Sequence, residues 1–187
     1  LAVMPQDAYA KVYRLDHKTR QFKVAHDAGR NISAMFSNHA QNQFYVLLDA
    51  NGDENFQLFE LDTNAGTTKI VFGKDGFRFS PVGFSRDDKR LYFRSNHLDK
   101  KVYSMFVMNL ATNRESLMTD GKNSYDAAVI SPSEKHIFLV QAIGNNETHV
   151  FRLNIKQRKA KKIFHEKGTV FSPEFFSDDE KYLYVNT

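Results

Sequence analysis

A repeat of about 46 residues is the feature of this sequence that most constrains its fold. Four segments of similar sequence align on serines at nearly constant spacing, namely Ser37, Ser85, Ser131 and Ser177. A second series, in VYRLD, LFELD, MFVMN and VFRLN, has almost the same spacing and aligns on Tyr13, Phe59, Phe106 and Phe151. Two anchor series with one period indicate an array of similar structural units.

Each unit contains four short apolar segments separated by turn-forming residues, a pattern typical of antiparallel strands and not of paired helices. In the clearest unit these segments are RFSPVGFS, RLYFRS, VYSMFVMNL and ESLMT. Four strands at this period are typical of one blade of a β-propeller. The sequence therefore predicts an all-β fold, a β-propeller of four-stranded antiparallel blades with about four blades' worth of chain.

The repeat predicts a single propeller domain or propeller segment over 1–187, with three full blades at 28–73, 74–120 and 121–166. Half blades of two strands each are expected at 1–24 and 167–187. Two arrangements fit this division. Either the halves join into one blade that closes a four-bladed ring, or the chain is part of a larger propeller whose open blade edges favour self-association.

The amino-acid composition limits the kinds of catalytic and metal sites that this chain can form. The absence of cysteine excludes disulfides, thiolate zinc sites and a cysteine nucleophile. The seven histidines show no metal-binding spacing, so neither a metal nor a cofactor is expected. The basic run KQRKAKK at 156–162 aligns with a loop and outer strand, where lysines oppose edge pairing, so no nucleic-acid partner is expected.

The sequence has no run of 18 apolar residues and no amphipathic helix that would bind a membrane. We expect a soluble chain, cytoplasmic or periplasmic, and the sequence leaves the compartment open.

The stretch LLDANGDENFQLFELD places Asp49, Asn51 and Asp53 at the alternating spacing of a calcium loop. Gly52 comes two residues earlier than an EF-hand loop requires, and the residues that follow have the pattern of a strand and not of a helix. The repeat places this stretch between the second and third strands of a blade. We therefore expect a hairpin loop and no metal site.

The unit FSPVGFSRDDKRLYFRSNHLDKKVYSMFVMNL resembles the TolB-type propeller repeat, in which Ser-Pro, a Phe-Ser-x-Asp-Gly-Lys turn and a Tyr-x-Met-Asn-Leu strand succeed one another. This chain departs from that pattern at the turn glycine, which is replaced by Asp88, Glu134 and Glu180. The segment GDENFQLFELD is similar to the propeller of prolyl oligopeptidase-family serine peptidases of the dipeptidyl aminopeptidase and acylaminoacyl peptidase types.

The resemblance implies one of two functions. The first is a non-catalytic propeller that filters substrate access to an α/β-hydrolase domain of the same parent chain and docks against it. The second is a TolB-type scaffold that binds a protein or peptide ligand with no enzyme attached. A propeller lectin or a metal-dependent lyase is a third possibility, although no repeated sugar-binding residues or ligand cluster support it.

No catalytic residue is expected in this chain, because none of its nine glycines forms the Gly-x-Ser-x-Gly nucleophile motif. Whether a parent protein is an enzyme stays open; a complete parent of the peptidase family would be a serine peptidase. Binding candidates lie six residues before each anchor serine, where a shared register predicts a ring near the channel mouth: Asn31, Phe79, Tyr125 and Phe171.

Asp126, next to Tyr125, would add one acid to this ring. The aromatic residues either plug the channel and pack between blades or form a collar that contacts passing peptides.

Overall fold

The computed structural model describes residues 2–6, 9–49 and 52–187, with the backbone alone for 2–6 and Ala127. Every regular element in these ranges is a β-strand, and each strand pair with a defined register is antiparallel. The strands of the described ranges form a three-stranded sheet, three four-stranded sheets and a two-stranded sheet. The predicted all-β fold with repeated four-stranded antiparallel blades is confirmed.

Contacts divide the chain into two compact units, of which the first ends at Phe79 and the second begins at Ser80. The first unit holds two sheets, in the orders β1-β2-β3 and β4-β5-β6-β7. Its strands are β1 (Ala2–Gln6), β2 (Tyr9–Asp16), β3 (Gln21–His26), β4 (Ile32–Ser37), β5 (Phe44–Leu48), β6 (Gln57–Asp62) and β7 (Thr67–Phe72). Its buried core is small and mainly aliphatic, formed by Val12, Ile32, Val46, Leu48 and Leu61.

The N-terminal sheet has three strands, one more than the sequence predicts for 1–24. Strand β1 pairs with β2 from Ala2 opposite Tyr13 to Gln6 opposite Tyr9. Pro5 therefore lies in an edge strand, the part of a sheet that tolerates a residue without a backbone N–H. A five-residue segment with a proline lacks the clear alternation that marks the other strands, which is why sequence reasoning missed it.

The second unit holds two four-stranded sheets and the final two-stranded sheet, each in chain order. Its strands are β8 (Phe79–Phe84), β9 (Arg90–Ser95), β10 (Ser104–Asn109), β11 (Arg114–Leu117), β12 (Ala127–Ile130), β13 (His136–Gly144), β14 (Glu147–Asn154), β15 (Lys159–His165), β16 (Ser172–Phe176) and β17 (Leu183–Asn186). Strand β8 begins at the last residue of the first unit.

The core of the second unit fills the space between sheets with large side chains from both. Its fully or nearly fully buried members are Tyr92, Met105, Met118, Tyr125, Ile137, Leu139 and Leu153. Strand β16 contacts β12 and β13, and the rings of Phe138 and Phe176 meet edge to face with centroids 5.1 Å apart. The first strands of these two consecutive sheets are therefore neighbours, as they are around the channel of a propeller.

One turn geometry recurs between the first two strands of the three four-stranded sheets and of the final two-stranded sheet. In the turns that begin at Ser85, Ser131 and Ser177, the serine N–H donates to the carbonyl five residues later, at 2.9–3.0 Å. In the first unit the equivalent donor is Asn38, whose N–H donates to the carbonyl of Gln43 at 3.2 Å. The alignment on Ser37 is therefore wrong by one residue, because asparagine replaces serine as the turn's first residue.

The fourth residue of each such turn has a left-handed backbone, although none is glycine. The φ angles are 54°, 54°, 53° and 57° at Gln41, Asp88, Glu134 and Glu180. A left-handed conformation costs a residue with a Cβ about 1 kcal/mol or more. This is the position at which the resembled repeat has glycine.

The acidic side chains at this position link consecutive sheets of the second unit. The carboxylate of Glu134 accepts a hydrogen bond from the N–H of Arg86, and it also accepts one from Nη2 of Arg90 at 3.0 Å. In the next sheet Glu180 accepts hydrogen bonds from the N–H of Ser133 and, at 2.8 Å, from the Ser133 hydroxyl. We name these two contacts, Glu134 with Arg86 and Glu180 with Ser133, the turn clamps. They offset the cost of the left-handed backbone.

The predicted calcium-like stretch forms the loop between β5 and β6, which confirms its place between the second and third strands. Asp53 accepts hydrogen bonds from the backbone N–H of Asn55 at 2.9 Å and from its side-chain amide at 3.0 Å. Asn51 lies outside the described residues. The described part of the chain contains no cluster of three or more side chains suited to a metal ion.

The basic run at 156–162 occupies the turn before β15 and the first half of that strand, as predicted. Strand β15 is the outermost strand of its sheet, and all seven of its residues are exposed. Lysines along such an edge oppose pairing with another strand.

Candidate functional site

The residues predicted to form a ring lie at or just before the first strand of the three four-stranded sheets and of the final two-stranded sheet, but one of them is out of register. Asn31 is exposed, and the equivalent position is taken by Ile32, which is 5% exposed and part of the core. The error follows directly from the choice of Ser37 instead of Asn38 as the anchor. The other three, Phe79, Tyr125 and Phe171, are 4%, 2% and 6% exposed.

Tyr125 shows how these aromatic residues are held. Its N–H donates to the carbonyl of Tyr103 at 3.0 Å, and its ring meets Phe151 edge to face at 5.6 Å. Burial raises the pKa of the Tyr125 hydroxyl, so the side chain stays neutral across the physiological range. These contacts support the packing role, and the predicted contact with passing peptides stays a prediction.

Phe171 is fixed by a reciprocal pair of hydrogen bonds to Thr148. Its N–H donates to the threonine hydroxyl at 2.7 Å, and that hydroxyl donates to the Phe171 carbonyl at 3.3 Å. Its ring packs edge to face on Phe164 with centroids 4.9 Å apart.

Arg94 is a half-buried cation that sequence reasoning missed. It lies on β9, and its guanidinium donates to the Tyr125 carbonyl at 2.8 Å and to the Ser80 hydroxyl at 3.1 Å. Desolvation lowers the pKa of Arg94, and the negative charge of Asp126 opposes that shift. The only sequence signal was an arginine inside the apolar strand segment RLYFRS.

Asp126 is the exposed member of this group. Its N–H donates to the Val140 carbonyl at 2.7 Å, and its Oδ2 accepts from the N–H of Ala142 at 2.8 Å. A backbone N–H holds the carboxylate in place, so it presents its remaining lone pairs without losing side-chain freedom on binding.

We define the inner-strand rim as Ser80, Arg94, Tyr125, Asp126 and Phe171, all within the second unit. It combines a fixed cation, a fixed carboxylate and aromatic packing at the starts of first strands. These residues can donate hydrogen bonds to a peptide backbone and accept hydrogen bonds from it.

None of the five residues of the inner-strand rim is a histidine, so the rim holds no Ser-His-Asp triad, and its serine hydroxyl, on Ser80, accepts a hydrogen bond from Arg94 at 3.1 Å. The repeated turn serines also have fixed partners: the Ser85 hydroxyl donates to Asp87 at 2.5 Å and the Ser177 hydroxyl to Asp179 at 2.7 Å. Both turns have the capping chemistry that the sequence predicts.

Within the described ranges, no helix is long and apolar enough to cross a membrane.

Solved structures with the same fold include TolB from Acinetobacter baumannii, with a TM-score of 0.69 and 17% sequence identity. The alignment covers 94% of this chain and 42% of that structure. A prolyl endopeptidase structure matches with a TM-score of 0.70 and 14% identity, over 94% of this chain and 28% of that chain. The resemblance predicted from the repeat motifs, to TolB-type and prolyl peptidase propellers, is thus confirmed at the level of the fold.

A puromycin-hydrolyzing peptidase of Mycobacterium tuberculosis also matches, with a TM-score of 0.59 and 8% identity, over 75% of this chain and 23% of that one. The chain thus spans less than half the length of these three structures. A scan against protein-family models and a search of curated proteins found no match.

Proposed function

We propose that this chain is the non-catalytic propeller segment of a serine peptidase, where it filters substrate access and docks the catalytic α/β-hydrolase domain. The observation that carries the proposal is the inner-strand rim, with the fixed Arg94 guanidinium and Asp126 carboxylate at the starts of first strands. The fold likeness to a prolyl endopeptidase over 94% of this chain supports it.

A peptide that reaches the inner-strand rim meets hydrogen-bonding groups there. An extended peptide carries an unpaired N–H and C=O at each residue, and burying them without partners costs free energy. The Asp126 carboxylate can accept from a peptide N–H or a free amino terminus, since one backbone amide uses only part of its acceptor capacity. Such a carboxylate favours short flexible peptides, whose backbone groups are free to pair, over folded proteins, whose backbone groups are already paired.

The test begins with the native reading frame on both sides of this chain. The proposal requires a Gly-x-Ser-x-Gly motif, followed by an aspartate and a histidine, in the same frame. In that parent protein, Asp126→Ala should change kcat/KM by about threefold or more for peptides that reach the rim and leave the smallest chromogenic substrate unchanged. Asp178→Ala, which removes an exposed turn carboxylate, is the matched control.

A frame without the nucleophile motif would overturn the peptidase proposal. An equal effect of Asp126→Ala and Asp178→Ala on all substrates would overturn the role of the rim while leaving the peptidase assignment in place.

The second candidate is a TolB-type scaffold that binds a protein or peptide without an attached enzyme. The fold likeness to TolB from A. baumannii, also over 94% of this chain, favours it. The two candidates differ in one observable: the purified parent either hydrolyses peptides in a manner abolished by a serine-directed inhibitor, or it binds a partner and hydrolyses nothing.

A further inference from the structure

A second site is lined by residues that do not belong to the inner-strand rim. A pocket of about 640 Å³ opens between the sheet β8–β11 and the turns of the sheet β12–β15, wholly within the second unit. Its apolar lining comes from Tyr92, Val107, Met118 and Ile155. The volume falls in the range of about 300–1,000 Å³ that small-molecule sites occupy.

The walls of this pocket carry an excess of positive charge. Four basic side chains and one acid line it: Arg90, Lys135, Lys156, Arg158 and Glu134. The carboxylate of Glu134 already pairs with Arg90 at 3.0 Å and accepts the hydrogen bond of the turn clamp from Arg86, so it does not neutralise the other cations. Neither lysine forms an ion pair with any carboxylate of the described residues.

Arg158 and His136 determine how much positive charge the pocket presents to a ligand. Arg158 donates to the Leu117 carbonyl at 3.3 Å, which holds its guanidinium at the pocket without neutralising it. His136 also lines the pocket, and desolvation lowers its pKa, so it is neutral near pH 7. The electrostatic preference is therefore set by Lys135, Lys156 and Arg158, and it favours an anion.

The Tyr92 hydroxyl is a second observation, independent of the charge, that points to a ligand. The residue is 0% exposed, and within the described part of the chain its hydroxyl has no hydrogen-bond partner. Burial raises the pKa of Tyr92, so the hydroxyl stays protonated and can donate. A buried polar group without a partner costs about 1–3 kcal/mol, which a ligand oxygen would recover.

We propose that this pocket binds a small amphipathic anion, with its apolar body against Val107, Met118 and Ile155 and its carboxylate or phosphate between the Tyr92 hydroxyl and the side chains of Lys156 and Arg158. The apolar lining accounts for the body and the unneutralised cations for the charged group. The site shares no residue with the inner-strand rim, and it stands whether or not the chain belongs to a peptidase.

The probes are 4-phenylbutyrate, phenyl phosphate and the uncharged 4-phenylbutanol, titrated into the complete chain by calorimetry at low salt. Saturable binding of an anion is expected, with a dissociation constant of at most about 1 mM. The alcohol should bind about tenfold more weakly, because it lacks the charge. The tighter of the two anions identifies the ligand group as carboxylate or phosphate.

Variants locate the site. Tyr92→Phe should weaken anion binding by about tenfold while leaving the urea midpoint unchanged or higher, because it removes an unpaired buried hydroxyl. Lys156→Gln should weaken binding by about threefold. The matched control is Lys161→Gln, which changes an exposed lysine of β15 outside the pocket lining and should leave binding intact.

Three results would overturn the proposal: no saturable binding of either anion up to about 10 mM, equal binding of the alcohol and the anions, or equal loss in Lys156→Gln and Lys161→Gln. Because Tyr92→Phe is judged by binding and stability together, a merely structural role for the hydroxyl would appear as a lower urea midpoint with unchanged affinity.

Discussion

Glu134 has a left-handed backbone and pairs through its carboxylate with Arg90, 44 residues earlier in the chain and in the preceding sheet, at 3.0 Å. The same carboxylate accepts from the Arg86 N–H. A residue type that is unfavourable for its own backbone is therefore held there by contacts with another sheet. In TolB-type repeats the glycine at this position would avoid the backbone cost and lose the contact.

The first prediction concerns the replacement of Glu134 by the glycine of TolB-type repeats. Glu134→Gly should destabilise the fold by about 1–2 kcal/mol, because the lost hydrogen bonds to Arg86 and Arg90 outweigh relief of the left-handed backbone. Asn113→Gly is the control, since Asn113 has a φ of 53° but is exposed on a turn, and it should change stability by less than about 0.5 kcal/mol. Urea unfolding measures both, and a more stable Glu134→Gly variant would contradict the clamp.

The second prediction concerns the half-buried guanidinium of Arg94. Arg94→Met should lower the free energy of unfolding by about 2–3 kcal/mol, because the Tyr125 carbonyl and the Ser80 hydroxyl both lose their donor. Arg114→Met, at an exposed position on β11, is expected to be nearly neutral. Equal urea midpoints for the two variants would show that the Arg94 hydrogen bonds contribute no net stability.

The third prediction is a pH dependence from the turn carboxylates. The hydrogen bond from the Ser85 hydroxyl, with the N–H of Lys89, holds the pKa of Asp87 below its ordinary value near 3.8. A carboxyl whose folded pKa is below its unfolded pKa stabilises the fold above the unfolded value, and that stabilisation is lost as pH falls through the folded value. Stability should therefore decline below about pH 4.

The Asp87→Asn variant isolates this effect. Its urea midpoint should fall less than that of the parent chain between about pH 5 and pH 3, because asparagine cannot be protonated in this range. The control is Asp178, an exposed aspartate in the turn that begins at Ser177, whose carboxylate forms no hydrogen bond within the described residues. Asp178→Asn should therefore show the same dependence of the urea midpoint on pH as the parent chain. Identical profiles for all three proteins would rule out Asp87 as a source of acid sensitivity.

The fourth prediction tests the corrected register of the first four-stranded sheet. Ile32→Ala should cost about 2–4 kcal/mol, because it removes a buried side chain from the core of the first unit. Asn31→Ala changes an exposed side chain and should cost less than about 0.5 kcal/mol. Thermal and urea unfolding of both variants give the comparison, and a larger loss in Asn31→Ala would restore the original alignment on Ser37.

The sequence predicted the repeat, the four-stranded sheets and the turn capping because each follows from local residue patterns. The second strands, such as RLYFRS and HIFLVQ, are recognisable as short apolar runs between turns, and consecutive residues of these runs are buried. Asn38 was missed because asparagine and serine cap a turn equally well, and the adjacent Ser37 offered a false match.

The candidate site was less predictable, because it depends on contacts between sheets. The burial of Tyr125 and the Arg94 hydrogen bond to its carbonyl join residues 31 positions apart. No local pattern encodes such a contact. The same holds for Tyr92, whose unpaired hydroxyl is visible only once the packing around it is known.

The fifth prediction concerns self-association through the two-stranded sheet. Strand β17 carries an exposed aromatic and aliphatic surface, and Phe175 and Tyr184, 59% and 50% exposed, stack on each other. Replacing Tyr184 with lysine should shift the chain towards monomer in analytical ultracentrifugation. Leu98→Lys, which alters an apolar residue in a loop that is even more exposed, at 63%, should leave the distribution unchanged. A monomeric parent chain would contradict the predicted self-association.

The turn clamps bear on how such an array could evolve. In both clamps the glutamate accepts from a backbone amide of the preceding turn, at Arg86 and at Ser133, and a backbone amide is present whatever side chain the turn carries. A duplicated or transplanted blade would therefore find its acceptor and donor already in place without compensating mutations. Gain or loss of a whole unit would then need no matching substitution in the neighbouring turn, since the ion pair of Glu134 with Arg90 only adds to a joint whose backbone part depends on no side chain of that turn.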